Sequence, residues 1–164
     1  MKLFLKTALI ALVLGITTTT FSYAEPHGND VESLSPELRK LLQAEMQALQ
    51  KGMMDIIPAY VAGNWGEIET IAQQMKNSYI MQQQLTDEQK KELHARLPDS
   101  FIEIDQQFHY LAGMLSHVAQ VEKTELIGFY ISKMGETCLS CHTQFAVHKF
   151  PALRQEPEEH KHTH

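Results

Sequence analysis

The chain has 164 residues, 14 Lys and Arg against 20 Asp and Glu, a formal net charge of −6 and two cysteines. An acidic chain without a basic stripe argues against binding nucleic-acid phosphates or an anionic membrane surface. With no second cysteine pair, stability beyond that of one packed core must come from a bound group.

In chain order, residues 1–24, MKLFLKTALIALVLGITTTTFSYA, read as a secretory signal peptide. Lys2 and Lys6 give the positive start, Ala8 to Ile16 the apolar run, and Ser22-Tyr23-Ala24 the small residues before a cut after Ala24. The alternative is an uncleaved anchor, but the run falls short of the roughly 18 to 20 residues needed to span a bilayer. No cysteine follows it to carry a lipid. Cleavage takes both lysines and no acid, leaving 140 residues of net charge −8, a size that suits one domain.

Glu25 to Leu34 is polar and loop-like. Ser35 then reads as an N-cap with Pro36 at the first helical position. Leu38, Leu42, Met46, Leu49, Met53 and Ile56 follow at steps of three and four, one apolar stripe that Pro58 and AGNWG close. Asn64 and Glu67 suggest a capping box for a second helix carrying Ile68, Ile71, Met75 and Tyr79. A connector helix starts at Thr86 with Gln89 completing its box, and Pro98 ends it. Ser100 and Glu103 open the next segment, where Phe101, Ile104, Phe108, Leu111, Leu115 and Val118 form a bundle seam. The last helix runs from about Thr124, with Ile127, Ile131, Met134, Cys138, Cys141 and Phe145 on its buried face. The expected fold is all-α, an antiparallel four-helix bundle over residues 25–152, followed by a disordered tail at 153–164.

The two cysteines stand in GETCLSCHTQF, and Cys138, Cys141 and His142 make the C-x-x-C-H signature of c-type haem attachment. On a helix, about 100° per residue puts Cys141 and His142 some 60° and 40° to either side of Cys138, so the three share a face. Each thiol can then form a thioether with a haem vinyl group, and His142 can ligate the iron. A structural disulfide, a dithiol redox pair and half of a zinc site remain as alternatives. Zinc lacks a second ligand pair, and a thioredoxin-like dithiol lacks the strand pattern that positions it. Export together with C-x-x-C-H points to the periplasm of a Gram-negative bacterium.

CLSCHTQF on the last helix of such a bundle resembles the class II cytochromes c, the cytochrome c′ superfamily; EMQAL, AGNWGEIETIAQQMKNSY and LPDSFIEIDQQFHYLAGML are similar to small exported cytochromes of this kind. The resemblance spans about Leu38 to Leu153 and implies one covalent haem c at one end of the bundle, held by Cys138, Cys141 and the proximal ligand His142. It places the distal position on the first helix, where Met46 aligns and Met53 is the rival. A methionine there implies a six-coordinate electron carrier. An apolar residue implies a five-coordinate iron that binds NO or CO. Family members usually carry a basic residue after the aromatic that follows the haem histidine; here Phe145 is followed by Ala146, with Lys149 the nearest cation.

The expected function is periplasmic single-electron transfer, with no nucleophile-base constellation to suggest an enzyme. The acidic surface suits a redox partner protein with a basic docking patch, and the resemblance allows a homodimer through the first two helices. The alternative is a gas-binding protein with five-coordinate haem; a dithiol oxidoreductase is a third reading. Asp105 and His109, at i and i+4, read as a surface or boundary pair, with contact to a haem propionate or the iron as the alternative. His94, His117 and His148 show no partner pattern, and Trp65 is expected over a helix junction. His160, His162 and His164 read as a solvated end, with weak transition-metal binding as the alternative.

Overall fold

The structure is a computed structural model that describes residues 31–78 and 85–154. These residues form five α-helices, α1 (Pro36–Val61), α2 (Trp65–Asn77), α3 (Asp87–Arg96), α4 (Asp99–Gln120) and α5 (Thr124–Phe145), with 3-10 turns at Val31–Ser33 and Pro151–Leu153. No strand occurs among them, and none of the described helices is long and apolar enough to cross a membrane. The segment read as a signal peptide, Tyr79 and residues 155–164 lie outside the described residues.

Local chemistry starts most of the helices where the sequence indicates. Ser35 Oγ accepts the Leu38 N–H at 3.4 Å, with Pro36 at N1. The Ser35 N–H donates in turn to Glu92 Oε1 at 2.6 Å, so a carboxylate from α3 fastens the start of α1. Thr86 and Gln89 close a full capping box on α3. The box on α2 is half formed. Asn64 Oδ1 accepts the Glu67 N–H at 3.3 Å, but the Asn64 N–H is already given to the Ala59 carbonyl at 2.9 Å, and the Glu67 carboxylate accepts from Asn64 Nδ2 at 2.8 Å instead. Gly63, at φ +68°, turns the chain between α1 and α2, and the Tyr60 and Trp65 rings pack across that turn at 6.0 Å.

Two boundaries differ from expectation. Pro58 does not close α1, which continues to Val61. The ring removes only the bond to Met54, on a side that faces solvent, and the Pro58 carbonyl still accepts the Ala62 N–H at 3.0 Å. Helix α4 begins at Asp99 rather than at a Ser100 cap, because the Pro98 carbonyl takes the N–H groups of Phe101 and Ile102 at 2.9 and 3.3 Å, and a proline without an N–H loses nothing at a helix start.

The core falls into two clusters. The larger gathers Leu49, Ile56, Ile68, Met75, Phe108, Leu115, Ile127 and Met134 from α1, α2, α4 and α5. The smaller gathers Leu34, Leu38, Leu42, Leu93, Leu97 and Phe101, so the segment before Ser35, expected to be a loop, sends Leu34 inside. Helix α4 packs closely on α2 and α5, and α1 on α2, while α1 and α5 make few close backbone approaches. Gln73 accepts from Ser116 Oγ at 3.3 Å, Phe101 meets Phe145 edge to face at 5.3 Å, and Glu32 before α1 lies 3.2 Å from His148 beyond α5.

Gly52 is where α1 comes nearest to α2, since a Cβ there would lie 2.6 Å from Met75 Sδ, inside the core. Gly52→Ala is expected to lose about 1 to 2 kcal/mol, the cost of overpacking outweighing about 1 kcal/mol of helix propensity. Gly66→Ala, where a Cβ meets nothing within 4 Å, should lose none. The midpoints of urea unfolding measure both.

Candidate functional site

Cys138, Cys141 and His142 lie in the last two turns of the uninterrupted α5. Both cysteines are free thiols, which removes the structural disulfide as a description of this structure. Neither is fully buried as the stripe suggested: along α5 only Ile127 and Met134 are, and Cys138, Cys141, His142 and Phe145 are half-covered. The reason is the loose seam between α1 and α5, which leaves this end of the stripe without a closely packed opposing helix.

That seam has a definite lining. On α1, Ala48, Gly52 and Asp55 form the flank against α2. About 100° per residue turns Met46, Met53 and Tyr60 to the opposite flank, and Tyr60 reaches Gly128 of α5, whose Cβ would lie 2.7 Å from the Tyr60 hydroxyl. Gly128, Gly135 and His142 stand seven residues apart along one line of α5. Tyr60 fills the seam at Gly128. At Gly135, in contrast, a Cβ would meet no atom within 4 Å, so the seam widens towards His142. The open groove lined by Glu103, Gln107, Lys133 and Glu136 lies on the other flank of α5 and touches neither cysteine.

Met46 is half-buried and packs against both core clusters; Cys138 packs against the larger and Cys141 against the smaller. Met53 touches only the larger cluster. Burial holds the His142 imidazole below its ordinary pKa, which keeps it neutral with a lone pair to offer, and its ring stacks on Phe150 at 4.3 Å. Burial raises both thiols; for Cys141 the charge of Asp105 and the neighbouring Cys138 add to it, pushing it up to about 11. Two adjacent thiols and a neutral imidazole fit a haem group in donor chemistry, and at Gly135 the helix surface beside them is open.

Between the two clusters, at the level of Cys141, the core is crossed by a polar layer that the sequence did not reveal. Glu45, Asp105 and His109 are 3%, 8% and 7% exposed. His109 Nε2 lies 3.4 Å from Glu45 Oε1 and 3.6 Å from Asp105 Oδ1, while Nδ1 donates to the Met75 carbonyl of α2 at 2.8 Å. Asp105 and His109 are therefore not a surface or boundary pair. Glu45 occupies the inward line of α1 between Leu42 and Leu49, with Met46 on the flank. Its place three residues after one leucine and four before the other was the one signal available, and a charge at a core position is easily assigned to the wet face. His148 likewise finds Glu32, 116 residues away in sequence, a pairing no local pattern announces.

Burial draws the His109 pKa down, but the carboxylates of Asp105 and Glu45 and the Met75 carbonyl outweigh it and hold it at about 9. The folded value exceeds the ordinary 6.5, so this stabilisation is complete below pH 6.5 and is lost as pH rises through about 9. In chelator-treated protein, unfolding free energy should fall across that window by at most about 3 kcal/mol. His109→Gln should flatten the profile, as urea titrations at stepped pH would show.

Compared with protein-family models, with curated proteins and with solved structures, the chain finds no match.

Proposed function

We propose that the protein is a periplasmic monohaem c-type cytochrome that passes single electrons. One observation carries the reading: C-x-x-C-H lies on one face of a continuous helix, with both thiols free and the neutral His142 on the line that faces a widening seam. Bound there, haem c supplies a one-electron ferric/ferrous couple. Cys138 and Cys141 would hold the group through thioethers, and His142 would offer it an imidazole nitrogen. Met46 would offer its thioether sulfur; Met53 shares its flank of α1, and the place of Met46 at the junction of the two clusters, which Cys138 and Cys141 also border, favours it.

The contacts of Glu32 with His148, Phe101 with Phe145 and Gln73 with Ser116 support an antiparallel bundle in which α3 is a side connection. Met53 and Ile131 are partly buried apolar side chains packed on the larger cluster, and burial raises the potential of a bound couple. Export through residues 1–24 delivers the chain to where the thiols meet haem. The net negative charge draws a redox partner with a basic patch, in an encounter that weakens with salt.

The spectrum of the reduced protein tests this reading. Sharp, separate α and β bands are expected of the wild type, with a haem mass that survives acidic organic solvent. Changing Cys138 and Cys141 together to Ser should release the haem into the extract, and haem retained by that variant would refute thioether attachment. Met46→Ala should turn the spectrum high-spin, lower the potential and allow rapid CO binding to the ferrous form. Met53→Ala should cost stability, about 2 to 4 kcal/mol reduced by its partial exposure, and leave the bands sharp. A wild-type protein that is already high-spin and binds CO at once would instead identify the five-coordinate gas binder.

A further inference from the structure

The geometry points to a second site, independent of haem: a mononuclear divalent transition-metal site in which Glu45, Asp105 and His109 are the protein ligands. Asp105 and His109 come from one face of α4, one turn apart, and Glu45 reaches them from α1. One donor atom from each lies within 4.8 Å of the others. With metal–ligand bonds of about 2.1 Å, the edge of a tetrahedron is about 3.4 Å. The Nε2–Oε1 and Nε2–Oδ1 separations are 3.4 and 3.6 Å. Two of the three donor separations thus already match a coordination edge, and the third lies within 4.8 Å, so ligation would call for little movement of either helix.

A second observation comes from outside the cluster. His109 Nδ1 is committed to the Met75 carbonyl of α2 at 2.8 Å, which orients the ring and leaves Nε2 as the atom that faces the two carboxylates. A histidine whose other ring nitrogen donates to a backbone carbonyl is the usual second-shell arrangement of a metal ligand. Charge accounting agrees. Two buried carboxylates with one imidazolium leave an excess negative charge in the core, whereas a dication with a neutral imidazole balances them. Two carboxylate oxygens and one imidazole suit zinc, manganese, iron(II) or cobalt(II) better than calcium, which prefers an all-oxygen shell, or copper(I), which prefers sulfur.

The test is a calorimetric titration of Zn²⁺ into the full chain at pH 8, on a background carrying His160→Ala, His162→Ala and His164→Ala so that those histidines contribute nothing. One equivalent is expected to bind, with a raised melting temperature. Glu45→Gln, Asp105→Asn and His109→Gln should each weaken that equivalent at least tenfold. The first two keep side-chain shape, and helicity by circular dichroism identifies any variant that fails to fold; Asp105→Glu, which restores a carboxylate, should recover part of the affinity. Cys138→Ser with Cys141→Ser should leave the equivalent in place. Absence of a stoichiometric equivalent, or one that survives the three ligand changes or disappears with the cysteines, would overturn the assignment. Neither result bears on the haem reading, which the optical spectrum decides separately.

Discussion

The interaction on which the rest of this structure turns is the buried contact of His109 with Glu45 and Asp105. It joins α1 to α4 in the middle of the molecule, and through the Met75 carbonyl it reaches α2 as well. Burying three ionisable groups is expensive, and it is tolerated because each faces a partner of opposite charge or a hydrogen-bond acceptor. Unlike an apolar contact, which allows helices to slide, this one ties Glu45 of α1 to the height of His109 on α4. The layer accordingly divides the core in two, with Leu42 and Phe101 on one side and Leu49 and Phe108 on the other.

The height so fixed is that of Cys141 on α5. Burial, with the charge of nearby Asp105 added to it, holds the Cys141 thiol protonated, and the two cysteines border different clusters. A buried negative charge beside a thiol slows adventitious oxidation, since the thiolate is the reactive form. The same α1 segment that carries Glu45 inward carries Met46 on its next residue, turned about 100° towards α5. The polar layer therefore also sets the direction of the Met46 flank of α1.

The seam between α1 and α5 shows how small residues shape room within a helical core. Gly128 admits the Tyr60 hydroxyl, and two turns later Gly135 leaves the helix surface bare on the same line. The pair of helices is consequently braced at one end by Tyr60 and Gly128 and tied at the other by Glu32 and His148. Between the two ends the apolar side chains of Met46, Met53 and Ile131 remain half-covered.

Much of this was legible in the amino-acid order, because it depends on residues three or four apart. The caps at Ser35 and Thr86, the apolar seams of α2 and α4 and the shared face of Cys138, Cys141 and His142 all follow from helical periodicity. Where local signals competed, the reading slipped. Pro58 looked like a stop but sat near an end and faced solvent, and the Asn64 N–H was already committed elsewhere. The polar layer was not legible, since Glu45 is 64 residues from His109 and a charged residue on an apolar stripe is read as surface until its partner is known. The sequence by itself determined which residues form helices and that Cys138, Cys141 and His142 share one helical face, because hydrogen bonds and rotation within one or two turns decide both. Only the tertiary structure decided which flank of α1 faces α5, how far Cys138 and Cys141 are covered and that three ionisable groups lie inside, because burial is a property of neighbouring helices and not of a turn.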